Sequence, residues 1–357
     1  MGAVRLFLAL AVASDHWRNF VLIPLGIDLE DYFKAGFNAG YAVLFFFVIS
    51  GFLITWTLTR NYTPDLAGAC DFYRRRFIRI FSLYWPIVLL ALPLMPGAWA
   101  DFVTKEFWDR LTSIFLVGMD WRMAFASYPD AHREAAVPGL WQAWTLGSEL
   151  TFYLAAPLLL RSWKTALALL LLSFGARFAL VATQPSNYNW IYYFPGSTFG
   201  FFLLGHFACL AASRWPVSAN RWLGLILLAG SFAAMTWGGS YADFDGRRLW
   251  LSVLLFAAAL PGLFAATRDI RWLNLAGDLS YPIYLTHVLV LTYVASDVLY
   301  YALPLDSLSA TSAGYVSLAA FLGLAILGGA AAHWGLERPL AAGMNLARLR
   351  RPRPRIA

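Results

Sequence analysis

The stretch from Val4 to Trp17 reads VRLFLALAVASDHW, and it sets how the rest of the chain is understood. Arg5 and His16 bracket ten residues that are apolar from Leu6 to Ala13 and close on Ser14 and Asp15. At about 1.5 Å per residue a helix separates the two basic side chains by about three turns, roughly 16 Å. Ionisable groups are costly in hydrocarbon, so a histidine beside an aspartate inside an apolar helix marks a functional site. The same segment resembles a secretory leader, with Arg5 ahead of an apolar run and Ala11-Val12-Ala13 as a small-residue cleavage pattern. The apolar run is short for that role, and the segment is read as a retained first helix.

Working outward, the 357 residues are 60% hydrophobic and only 13% charged, against about a quarter charged in a soluble domain. The expected fold class is therefore an all-α integral membrane protein. Apolar stretches near the required length of about 20 residues fall at 4–24, 40–59, 79–97, 141–160, 164–183, 193–213, 221–238, 249–267, 281–302 and 313–335. They predict a single bundle of about ten transmembrane helices over residues 1–340, followed by a basic tail over 341–357. With both termini cytoplasmic, the inside loops and tail hold roughly twice as many Lys and Arg as the outside loops. Leu111–Met119 is too short to span and is read as interfacial, within a loop over 98–140. The net charge of +7 is placed in loops and tail, which suits an anionic leaflet and membrane lipids rather than nucleic acid. Two cysteines, Cys70 and Cys209, provide no metal-binding spacing, and no metal is expected.

Four further segments carry polar chemistry inside apolar surroundings. In the second helix, Ser50 and Gly51 interrupt a phenylalanine-rich run and allow close approach of a neighbour. Phe72-Tyr73-Arg74-Arg75-Arg76-Phe77-Ile78-Arg79-Ile80 is a basic run at an expected cytoplasmic mouth. Arg75 and Arg79 are four apart and should share a helix face, and guanidinium groups bind phosphates as bidentate forks. In Trp144-Thr145-Leu146-Gly147-Ser148-Glu149-Leu150-Thr151-Phe152-Tyr153, Glu149 lies deep in an apolar run and needs a partner on another helix, with Arg177 a candidate. In Ser280-Tyr281-Pro282-Ile283-Tyr284-Leu285-Thr286-His287, Tyr284 and His287 are three apart and face one side. His206 and His333 read as structural.

Six motifs in a fixed order carry a family resemblance. They are the Arg5–His16 spacing, Phe46-Phe47-Val48-Ile49-Ser50-Gly51-Phe52, Phe72-x-x-Arg75-Arg76-x-x-Arg79-Ile80, Trp144-x-Leu146-x-x-Glu149-x-x-Phe152-Tyr153, Ser280-Tyr281-x-Ile283-Tyr284-Leu285-x-His287, and Glu337-Arg338-Pro339. Together they resemble the acyltransferase family 3 integral-membrane proteins across essentially the whole chain. The resemblance implies O-acyl transfer, usually acetyl, from cytoplasmic acyl-CoA to a sugar hydroxyl of an extracytoplasmic or exported polysaccharide or glycolipid. Acetyl-CoA would be a co-substrate rather than a bound cofactor, and polysaccharide-assembly proteins would be partners. The location implied is a bacterial inner membrane. By motif position His16 would be the catalytic base, with Arg5, Asp15 and Glu149 in the catalytic set. Arg74, Arg75, Arg76, Arg79, Ser50 and Gly51 would bind the donor, and Trp144, Tyr153, Tyr284 and His287 the substrate. Neutral imidazole suits removal of a hydroxyl proton during attack on a thioester, with Asp15 or Glu149 to orient the ring. This reading requires a cavity joining the arginines to His16, lined by Glu149, with room left by Ser50, Gly51 and Gly147. A sugar or lipid-linked-sugar transporter using His, Glu and Arg as a proton relay is the alternative. Inverted repeats and paired broken helices, the usual marks of such transporters, are absent from the sequence.

Overall fold

A computed structural model describes residues 1–27, 29, 38–94, 97–125, 136–137, 139–215, 220–236, 246–292 and 308–346. Among the described residues 87% are helical and none is in a strand. The helices are α1 (Gly2–Trp17), α2 (Ala39–Asn61), α3 (Leu66–Leu94), α4 (Ala98–Thr104), α5 (Phe107–Phe115), α6 (Met119–Phe125), α7 (Trp144–Leu159) and α8 (Trp163–Thr183). They continue with α9 (Tyr188–Tyr192), α10 (Pro195–Arg214), α11 (Arg221–Thr236), α12 (Arg247–Thr267), α13 (Arg271–Val290), α14 (Ala310–Ala332) and α15 (Arg338–Leu346). Among the described residues six helical stretches are long and apolar enough to cross a membrane: Ala39–Asn61, Leu66–Leu94, Trp163–Thr183, Tyr188–Arg214, Arg247–Thr267 and Ala310–Met344. Each of the ten expected segments contains a helix, but α1, α7 and α11 have 16 residues each, short of the usual span. The chain is a multi-pass membrane protein.

Three boundaries differ from the sequence expectation. The helix expected over 79–97 starts at Leu66, so the arginine run lies within α3 and not in a loop. The reason is local: the Asp65 carboxylate accepts the Gly68 N–H at 2.7 Å and the Thr63 hydroxyl at 2.7 Å, ending the preceding loop and starting the helix. Arginine is a good helix former, so the run continues what the cap begins. The helix expected over 281–302 begins at Arg271, and residues 293–307 lie outside the described ones. The segment over 98–140 holds α4, α5 and α6. Phe107, Trp108, Phe115, Val117, Trp121 and Phe125 are exposed there, the aromatic face expected of an interfacial element. Of the expected tail, residues 341–346 belong to α15 and 347–357 lie outside the described residues.

Two pairs of glycines fix the helices that matter for the site. A Cβ on Gly2 of α1 would lie 1.7 Å from the Leu273 carbonyl oxygen of α13, and one on Gly277 would lie 2.6 Å from the Gly2 Cα. The two helices touch backbone to backbone. Gly51 of α2 and Gly205 of α10 repeat the arrangement: a Cβ on Gly51 would meet the Phe202 carbonyl oxygen at 1.8 Å, and one on Gly205 the Val48 carbonyl oxygen at 1.9 Å. Small residues at helix contacts are the usual means of tight packing in membranes, where apolar burial from water supplies little between helices. Phe47 stacks on Phe202 at 4.5 Å beside the second contact. Gly323 of α14 faces open space.

Gly205→Val therefore forces α2 and α10 apart and should lower the melting temperature of the purified protein in detergent, with a cost of at least about 1–3 kcal/mol. Gly323→Ala should leave it unchanged or slightly raised. Equal melting curves for Gly205→Val and the parent would refute the contact.

Candidate active site

Five helices converge around a cavity of about 300 Å³. α1 supplies Arg5, α2 supplies Ser50 and Phe46, and α3 supplies Arg76 and Arg79. α7 supplies Thr145, Glu149 and Tyr153, and α13 supplies Ser280, Tyr281 and Tyr284. Three guanidinium groups thus share one cavity with one carboxylate, a charge excess suited to a polyanionic ligand. The Tyr153 hydroxyl donates to Glu149 Oε2 at 2.8 Å and lies 3.4 Å from the Ser50 hydroxyl. Glu149 is held by its own helix, one turn on, and Arg177 is elsewhere: its Nη1 donates to the Ile191 carbonyl at 2.7 Å, next to α9. The Arg76 guanidinium lies 5.4 Å from the Phe72 ring centre and 5.6 Å from that of Tyr153. Its Nε is buried with no hydrogen-bond partner among the described residues, an unspent donor at the cavity wall.

The expected pairing of Arg75 with Arg79 gives way to Arg76 with Arg79. Arg75 turns away and pairs with Asp71 one turn earlier at 3.2 Å, half-exposed, and Arg74 reaches the Met344 carbonyl at 3.5 Å. Spacing along a helix shows which residues share a face but not which face meets the neighbours. Gly51 and Gly147 also do not line the cavity. Gly51 abuts α10, and a Cβ on Gly147 would lie 2.9 Å from the Leu116 carbonyl oxygen, so both are packing contacts. Trp144 is buried between Phe47, Tyr192 and Tyr193 rather than open to a ligand.

The expected joining of arginines and His16 in one cavity is not what the lining shows: His16 does not line this cavity. Its Nδ1 lies 2.8 Å from Nε2 of His287, with the two rings stacked at 5.0 Å. His287 Nδ1 lies 2.7 Å from the Tyr284 carbonyl. Tyr284 stands between the two regions, with its ring 5.8 Å from that of His287 and its hydroxyl in the cavity. That hydroxyl donates to the Gln142 carbonyl at 2.9 Å and accepts from Thr145 at 2.9 Å. Trp141 covers His16 from the other side, ring to ring at 4.5 Å, and the exposed Phe20 lies 5.6 Å from Trp141. Asp15, although adjacent in sequence, accepts from Asn19 at 3.1 Å, and Glu149 is across the cavity wall. The α-helix changes to a wide π turn at Arg18–Leu22, two residues after His16, a distortion common at functional sites. His206 bonds Thr55 at 2.9 Å and His333 bonds Glu337 at 2.6 Å, as structural histidines do.

α7 is set in rotation by an anchor outside the spanning helices. Asp120, on the seven-residue α6, accepts from Thr151 at 3.2 Å and from its neighbour's N–H at 3.0 Å. Thr151 is two residues from Glu149, about 200° around the helix, so this bond turns Glu149 toward the cavity. Burial pushes the Asp120 carboxyl up to about 6.

Five helices converge on this basic cavity beside a histidine pair, and comparison with known proteins makes the chain a membrane acyltransferase. A family model described as an acyltransferase domain matches residues 1–334, and the chain belongs to that family, acyltransferase family 3. It is 31% identical to Nodulation protein 10 of Rhizobium leguminosarum bv. viciae over 313 residues, 81% of each chain. It is 26% identical to O-acetyltransferase OatA of Staphylococcus aureus over 281 residues, 70% of this chain and 46% of that one. Acyltransferase MdmB of Streptomyces mycarofaciens is 28% identical over 169 residues, 44% of this chain and 38% of MdmB. No solved structure matches.

Because the Asp120 carboxyl is raised in the folded state, its protonation supports folding fully below pH 4, and that support is lost as pH rises through about 6. The effect is about 2–3 kcal/mol. The melting temperature of Asp120→Asn relative to wild type should therefore climb between pH 4 and pH 7. A constant difference across that window would count against a buried, titrating Asp120.

Proposed function

We propose that the chain transfers an acyl group, most simply acetyl, from cytoplasmic acyl-CoA to a sugar hydroxyl of an extracytoplasmic or exported polysaccharide or glycolipid. It would do so as a ten-crossing protein of a bacterial inner membrane with both termini in the cytoplasm. The observation that carries this reading is the cavity of three arginines and one glutamate lying one tyrosine away from the histidine pair. The guanidinium groups of Arg5, Arg76 and Arg79 suit the phosphates of CoA. A volume of about 300 Å³ suits part of that molecule, the pantetheine arm rather than the nucleotide. Acetylation by OatA, as its name states, and the acyltransferase name of MdmB support the reaction class.

His16 acts as the base in this reading. A sugar hydroxyl attacks a thioester only as its proton leaves, and a neutral imidazole suits that removal. Asp15, Asn19, Phe20 and Trp141 around His16 offer a polar and aromatic setting of the kind sugars bind. Tyr284 and Thr145 stand between donor cavity and base, so the thioester reaches His16 past these two hydroxyls. Family membership favours this enzyme reading over sugar transport.

Purified protein in lipid should consume labelled acetyl-CoA in the presence of the acceptor glycan, and no consumption with any acyl-CoA would overturn the proposal. His16→Ala should insert normally and lose about 10²- to 10⁴-fold in rate. Arg76→Gln and Arg79→Gln should each raise the KM for the donor, with Lys rescuing only in part. Arg75→Gln should leave the donor KM unchanged, because its exposed pair with Asp71 is worth little. A donor KM that responds to Arg75 and not to Arg76 would reverse the assignment.

A further inference from the structure

His287 makes two contacts that together set the tautomers of a neutral histidine pair. Its Nδ1 lies 2.7 Å from the Tyr284 carbonyl oxygen and 3.3 Å from that of Ile283. Carbonyl oxygens only accept, so Nδ1 carries a hydrogen. In a neutral imidazole the other nitrogen is then an acceptor. That nitrogen, Nε2, is 2.8 Å from His16 Nδ1, so His16 Nδ1 is the donor. In a neutral His16 the lone pair is then on Nε2. The opposite assignment aims a lone pair of His287 at two carbonyl oxygens, or adds a second proton to a ring that is fully buried.

We propose that His287 is a positioning residue for acyl transfer: through the chain His16–His287–Tyr284 carbonyl it fixes His16 as the Nδ1–H tautomer, with Nε2 as the base. This rests on the reading of His16 as the base. It replaces the substrate contact expected for His287 from its motif. A second imidazole anchored on backbone holds His16 in the way a carboxylate holds the histidine of a triad. In the transfer step the acceptor oxygen bonds to the acyl carbon as its proton passes to His16 Nε2. The carbon–sulfur bond then breaks, and the leaving thiolate takes that proton, giving a free thiol and a neutral His16. The Nδ1–H···Nε2 bond to His287 persists throughout and spreads the positive charge that His16 carries between the two events.

The test has two arms. Nitrogen-15 spectra of histidine-labelled wild type in lipid, assigned against His16→Gln, should show His16 protonated at Nδ1 and unprotonated at Nε2; the reverse tautomer overturns the proposal. In the kinetic arm, His287→Phe keeps an aromatic ring and removes both bonds, while His287→Gln can present its amide oxygen where Nε2 stood. His287→Phe should lower kcat about 10²-fold or more with the donor KM within about twofold, and His287→Gln should recover about tenfold of the loss. If His287 only fills space, Phe performs as well as Gln, and the proposal fails. If His287→Phe does not insert, the wild-type spectrum and the Gln variant still decide. A wild type that transfers no acyl group but shows the Nδ1–H tautomer would sink the acyl-transfer reading and leave the hydrogen-bond chain standing.

Discussion

The site depends on one contact that has no side chain in it. Where α1 begins, Gly2 lies against the backbone of α13 at Leu273 and Gly277, closer than any Cβ would permit. The two helices run in the same direction from this contact, and some 14 residues further along each of them lie His16 and His287, at 2.8 Å. A larger residue at either glycine would move the helices apart by more than the tolerance of a hydrogen bond. The packing of two glycines at one end thus sets the chemistry of two imidazoles at the other.

A second constraint is electrostatic. Charged groups inside a membrane helix bundle survive only by facing a cavity or one another. Arg5, Arg76, Arg79 and Glu149 do both, on three different helices, and the Tyr153 hydroxyl fixes the carboxylate among them. The Tyr281 hydroxyl bonds the Ile80 carbonyl at 2.7 Å, tying α13 to α3 beside Arg79. The cavity is held open by bonds in its wall, made by residues whose sequence signature is aromatic and not charged.

Much of this was legible in the chain. Apolar runs located a helix in each of the ten expected segments, six of them in stretches long and apolar enough to cross a membrane, and the isolated polar residues Arg5, Glu149 and Tyr284 line one cavity with His16 outside it. What was not legible has specific causes. The arginine run reads as a loop because its charge breaks the apolar pattern, whereas the Asp65 cap extends α3 through it. Arg76 rather than Arg75 faces inward because the rotation of α3 is set by its neighbours. His287 and His16 are 271 residues apart, and no local pattern reports a bond across that distance. Trp141, Gln142 and Thr145 were overlooked because they precede or open α7, where polar and aromatic residues commonly end a span.

Tyr284 faces two regions with different parts of itself. Its hydroxyl closes one end of the arginine-lined cavity through Gln142 and Thr145, and its carbonyl anchors the histidine pair beyond. Among the described residues the cavity lining stops there and does not include His16. Imidazoles and hydroxyls in series hand protons along readily, and an open path through them would short-circuit an energised bilayer. The Tyr284 ring lies between its hydroxyl, in the cavity, and its carbonyl, at the histidine pair, so the two hydrogen-bonded groups are joined through carbon and not through a chain of exchangeable protons.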